Sequence, residues 1–119
     1  KWVRRGAHIN AMGADAPGKQ ELSTKLLKRA AVYIDDIHQA TGSGEINVPL
    51  ASGELSLEEI AGTLGEVVAG ISSKPDAART SVFDSTGLAI QDVALARGIY
   101  DAAKSQSIGL EIDLVGLDA

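Results

Sequence analysis

The chain has 119 residues, with 16 acidic against 11 basic side chains, a net charge of −5 and no cysteine. The missing cysteine excludes disulfides and cysteine-based zinc sites, and the acidic balance argues against a nucleic-acid surface or a polybasic membrane patch. No run of about twenty apolar residues is available for a membrane helix, and residues 1–6 lead into no apolar leader, so a soluble, cytoplasmic protein is expected.

Residues 7–12 alternate moderately and stop at Gly13, which predicts a short buried strand with His8 packed and hydrogen-bonded inside it. Residues 13–19 are dense in turn formers. Ser23 is placed to cap a short helix running to about Ala30, with Leu26 and Leu27 inward. Residues 31–34 are apolar and β-prone and predict a second strand, ending at Asp35 and Asp36. Residues 41–44 break any helix begun at Ile37, and residues 46–50 read as irregular or extended.

Ser56 and Glu59 have the spacing of a capping box. The box predicts a helix with Leu57, Ile60, Leu64 and Val67 or Val68 on one side, Gly62 and Gly65 inside, and Gly70 as its stop. Residues 71–80 predict a polar loop, and residues 81–84 a third short strand. Residues 85–87 open the longest helix, from about Leu88 to Ser105. Ile90, Val93, Ile99 and Tyr100 are expected on its inner face, and Arg97 and Asp101 pair at i,i+4 spacing. Residues 109–114 alternate and predict a final strand. The order of strands and helices predicts an α/β architecture with a largely parallel sheet and no second complete domain.

In such sheets, ligands bind beyond the carboxyl ends of the strands. Three strand ends carry polar punctuation. At the first, Gly13 lets a ligand approach the backbone, Asp15 could act as general acid or base, and Lys19 could meet an anion. The same residues also suit a plain turn in which Asp15 bonds local amides. At the third, Ser85 and Thr86 precede a helix, which suits an anion or ordinary capping equally. Asp35 and Asp36 read as solvated carboxylates. Response-regulator receivers use such an acidic pair, but after their first strand rather than their second. His8 and His38 are too few and too far apart for a metal site, so none is expected. Gly42 and Gly44 are half a dinucleotide fingerprint with no third glycine, and read as a turn.

Two long motifs are specific. Gly6-Ala7-His8-Ile9-Asn10-Ala11-Met12-Gly13-Ala14-Asp15-Ala16-Pro17-Gly18-Lys19-Gln20-Glu21-Leu22 resembles one signature of the ornithine cyclodeaminase/mu-crystallin family. Val82-Phe83-Asp84-Ser85-Thr86-Gly87-Leu88-Ala89-Ile90-Gln91-Asp92 resembles its second. Gly44-Glu45-Ile46-Asn47 and residues 64–70 fit in the expected order, so the resemblance runs through the whole chain. It is nearest to the archaeal-type alanine dehydrogenases of that family.

The resemblance implies that residues 1–86 are the second half of a Rossmann-type NAD(P)-binding domain. Residues 87–119 would be a helix and strand returning to a substrate and dimerisation domain. The glycine fingerprint and the substrate-binding arginine and lysines would then lie upstream of Lys1, and the chain alone would be inactive and poorly stable. By the same resemblance, Asp15 matches the catalytic carboxylate. Ala11, Met12 and Gly13 match the strand end lining the nicotinamide, and Lys19 and Ser85 match cofactor contacts. Thr86 stands where ornithine cyclodeaminases carry an apolar residue against the substrate, a departure that favours a dehydrogenase or imine reductase. The implied function is NAD(P)-dependent oxidation of a small amino acid through an imine, in a homodimer. Ornithine cyclodeamination, ketimine reduction and non-catalytic binding are the alternatives.

Overall fold

The computed structural model describes residues 2–112, which fall into two compact units, one up to Gly87 and one from Leu88 on. The first unit is built on four parallel strands, β1 (His8–Ala11), β2 (Ala31–Ile34), β3 (Gly62–Thr63) and β4 (Ser81–Asp84). Their spatial order is β1-β4-β2-β3, so the last strand in sequence slides between the first two. This is the parallel α/β class expected. Because the strands are parallel and in register, with His8 opposite Ser81 and Ala31 opposite the same residue, their carboxyl ends finish together.

One face of the sheet carries the core. Ala11, Val32, Ile34 and Val82 pack with Leu27 and Ala30 from α1 (Thr24–Arg29) and its end. Ala40 of α2 (Ile37–Gly42) and Ile46, just before α3 (Asn47–Ala51), close the same layer. Leu26 and Leu27 are both buried, as their spacing predicts. β2 is buried at every position, which a central strand of a parallel sheet requires.

Three expectations about the elements of the first unit are corrected. First, β1 is not a buried strand: His8 and Asn10 are exposed, because β1 pairs only with β4 among the described residues. His8 is hydrogen-bonded all the same, to Ser81 Oγ at 2.8 Å and Asn10 Oδ1 at 3.1 Å. Second, residues 46–50 are not extended. α2 does end near the glycines, but α3 follows at once, with Pro49 in its first turn, where a missing N–H breaks no helical bond.

Third, the helix expected from Ser56 does not run on. The Glu59 carboxylate accepts the Ser56 N–H at 2.9 Å, yet this box closes only a single turn, Leu57–Glu59. The chain then extends as β3 along β2, and a second box starts α4 (Leu64–Val68). There Thr63 N–H donates to Glu66 at 2.7 Å and Glu66 N–H to Thr63 Oγ1 at 3.2 Å. Gly62 has φ +146°, a conformation open to glycine and closed to a helix. Pairing with a buried strand outweighs the local helical pattern.

In the second unit, α5 (Ala89–Gln106) is the expected long helix, and Arg97 Nε meets Asp101 at 2.8 Å. Ile90, Val93, Ile99 and Tyr100, expected on its inner face, are exposed. Residues 109–112 form no strand, and the rest of that expected strand lies outside the described residues. No helix among the described residues is long and apolar enough to cross a membrane.

Candidate active site

The three strand ends singled out in the sequence stand side by side, because β1, β4 and β2 are adjacent and parallel. Ala11, Met12, Gly13, Asp15, Lys19, Ser85 and Thr86 therefore all occupy the carboxyl edge of the sheet. Ala11 is buried while Met12 and Gly13 are exposed where β1 leaves the sheet. The Ser85 N–H donates to the Ala11 carbonyl at 2.9 Å, which ties the first and third ends together.

Asp15 is 70% exposed and accepts from Lys19 Nζ at 2.5 Å. Lys19 returns to it because residues 16–19 close a turn, with Lys19 N–H on the Ala16 carbonyl at 3.1 Å and Pro17 and Gly18 in the middle. The Lys19 hydrogen bond and charge hold the Asp15 carboxyl below its usual range. This end is thus an exposed ion pair on a tight turn, with a backbone hydrogen bond also helping to lower the Asp15 carboxyl and the Glu21 carboxylate lying against Gly13.

Asp35 is not a solvated carboxylate, and this corrects the sequence reading. One of its oxygens accepts from Thr86 N–H at 2.6 Å, Gly87 N–H at 3.0 Å and Ser85 Oγ at 3.2 Å. The other accepts from Thr86 Oγ1 at 2.9 Å and Asp36 N–H at 2.8 Å. Burial pushes the Asp35 carboxyl up, but these donors together hold it below its usual range. The Thr86 hydroxyl proton is engaged by Asp35 and, at 3.3 Å, by Gln39. Asp36 does what its position suggests and caps α2, accepting from Gln39 N–H at 3.0 Å.

Asp84, one residue before Ser85, was given no role by the sequence reading. It is 1% exposed and accepts from Ile46 N–H at 3.2 Å. Burial pushes its carboxyl up to about 6; the N–H groups of Glu45 and Ile46 work against this, and the charges of Glu45 and Asp35 add to it. Folding therefore favours the protonated form of Asp84. That contribution is complete below about 3.8, its ordinary value, and is lost as pH rises through about 6. We expect the stability of the wild type relative to Asp84→Asn to fall by about 3 kcal/mol between pH about 4 and about 7, read from urea midpoints. A difference that stays constant with pH would overturn this account. Among the described residues, no group of three His, Asp or Glu side chains could hold a metal ion.

The model of the ornithine cyclodeaminase/mu-crystallin family matches residues 1–107. The chain belongs to this family. Alanine dehydrogenase of Archaeoglobus fulgidus is 48% identical over 113 residues, 94% of this chain and 35% of that protein. Iminosuccinate reductase of Paracoccus denitrificans is 38% identical over 112 residues, again 94% of this chain and 35% of that protein. A solved archaeal alanine dehydrogenase dimer with bound NAD superposes with a TM-score of 0.84 at 47% identity, covering 95% of this chain and 36% of that one. The chain thus spans about a third of the length of the relatives it matches. The family read from the two motifs is the one found.

Proposed function

We propose that this family member, as the full-length protein, is an NAD-dependent amino-acid dehydrogenase that converts L-alanine to pyruvate and ammonia through an imine. The observation that carries the reading is the exposed Asp15–Lys19 pair one turn beyond the end of β1, which is hydrogen-bonded through Ala11 to Ser85. The likeness to alanine dehydrogenase and to an NAD-bound relative supports the same substrate and cofactor.

The residues present fit the nicotinamide end of such a cofactor. Met12 and Gly13 are exposed residues at the strand end, Lys19 offers an ammonium, and Ser85, whose hydroxyl proton goes to Asp35, offers an acceptor oxygen at the same edge. NAD, when bound, supplies the hydride acceptor. Asp15, kept ionised by Lys19, takes a proton from the substrate amine or from the water that attacks the imine. Thr86 would border the substrate without donating to it, since its proton is held by Asp35 and Gln39. In this reading residues 1–86 belong to the cofactor domain and residues 87–119 return to the substrate domain. A homodimer and a cytoplasmic location go with it.

The test is an initial-rate assay of the full-length protein with NAD. L-alanine should drive NAD reduction with pyruvate as product. Turnover of L-ornithine to proline instead would make it a cyclodeaminase. No redox activity with any amino or imino acid would overturn the dehydrogenase reading in favour of a ligand-binding protein.

A further inference from the structure

The motif at residues 44–47 has no place in the chemistry above, yet two of its four residues are polar and buried. Glu45 is 0% exposed. Its two carboxylate oxygens both accept the Glu21 N–H at 3.1 Å, and one also accepts the Leu22 N–H at 2.8 Å. Asn47 is buried as well. Its Oδ1 accepts from Gly18 N–H at 2.9 Å, and its Nδ2 donates to the Lys19 carbonyl at 2.9 Å and to the Gly44 carbonyl. On the opposite side, Ile46 N–H bonds the Asp84 carboxylate. Gly44, at φ +41°, lies so close that a Cβ there would sit 2.6 Å from an Asp84 oxygen. Four consecutive residues thus grip residues 18, 19, 21 and 22 with one hand and residue 84 with the other.

A buried carboxylate is costly, and an apolar side chain of like volume would serve a core at least as well. What the carboxylate and the amide supply is direction, since each bond fixes one backbone group of a loop that has no regular structure of its own. The loop so fixed carries Asp15 and Lys19, and the strand end so fixed carries Ser85 and Thr86.

We infer that Glu45 and Asn47 are positioning residues of the active site: they hold the Asp15–Lys19 loop at a set distance from the strand end at Asp84. The inference rests on the reading of Asp15 as the proton-transfer group. It makes the segment responsible for the placement of that group and of Lys19 beside it. A displacement of about 1 Å at a reacting group is enough to cost on the order of 100-fold in rate.

The experiment uses the full-length protein, with cofactor sites counted by NADH fluorescence titration and amide hydrogen exchange followed over residues 18–22. In Asn47→Ala, kcat per NADH site should fall by about 30-fold or more, a larger change than any in NADH affinity. The Gly18 amide should lose its protection. Glu45→Gln keeps the volume and one acceptor, so it should exchange faster at Glu21 and Leu22 and retain more of its kcat than Glu45→Ala. A merely structural role would lower the number of NADH sites and the melting temperature but leave kcat per site intact, and that result would overturn the inference. So would unchanged exchange over residues 18–22. Should Asn47→Ala fail to fold, Glu45→Gln reports the same two quantities. Should the wild type show no turnover at all, the proposed function falls by itself. The exchange comparison still decides the clamp: protection lost supports it, protection kept refutes it.

Discussion

Replacing Asp15 by Asn is expected to lower kcat/KM by about 10²- to 10⁴-fold, the range general acid–base catalysis supplies. The amide cannot take a proton at neutral pH, yet it preserves the shape of the turn. The loop itself is held by other groups, namely the bonds from Glu45 and Asn47 and the turn closed by Lys19 N–H. NADH affinity should therefore change little. Amino-acid-dependent NAD reduction at the wild-type rate would remove Asp15 from the chemistry. A parallel loss of NADH binding would mean that the residue shapes the cofactor site instead. The prediction is sharp because Asp15 is exposed, so its substitution leaves no cavity and no buried orphan.

The second large effect is expected at Asp35, and it is of another kind. Asp35→Ala strips the acceptors from Thr86 N–H, Gly87 N–H and two hydroxyls in one step. Hydrogen bonds to a charged group contribute about 1.5–3 kcal/mol each and do not add simply, so a net loss of about 3 kcal/mol is expected in urea denaturation. With the turn at residues 85–87 loosened, KM for NAD should rise as well. Asp35→Asn keeps one oxygen that can face the Thr86 and Gly87 amides and should recover part of both losses. If Asp35→Ala is as stable as the wild type, the network at this strand end contributes nothing to folding.

These residues also show where the sequence was legible. The apolar run at residues 31–34, followed by aspartate, and the Val82-Phe83 pair closed by Asp84 mark strands that local sequence is enough to recognise. The cluster of glycine, proline and lysine at residues 13–19 marks a turn by local stereochemistry alone. Asp35 was misread, and Asn47 and Asp84 went without a role, because their partners lie far along the chain. Asp35 bonds residues about fifty positions on, Asn47 reaches back 29 to Gly18, and Asp84 reaches back 38 to Ile46. No periodicity encodes such pairs. The one local signal overlooked was the second capping box, Thr63 with Glu66, which the stronger apolar spacing from Leu57 onward concealed.

The sequence by itself determined the parallel α/β class, the three polar strand ends proposed to bear chemistry and, through two long motifs, the family. Those features depend on neighbours in the chain, on turn chemistry and on the apolar period, all of which are written locally. The tertiary structure decided the rest. It broke the expected helix after Glu59, because the open edge of β2 offered backbone partners that a helix could not match. It inserted β4 between β1 and β2, which set Ala11 against Ser85. It also gave the half-buried Asp35 and the buried Glu45, Asn47 and Asp84 their hydrogen-bond partners, because a carboxylate or amide acquires its role only when folding brings donors to it.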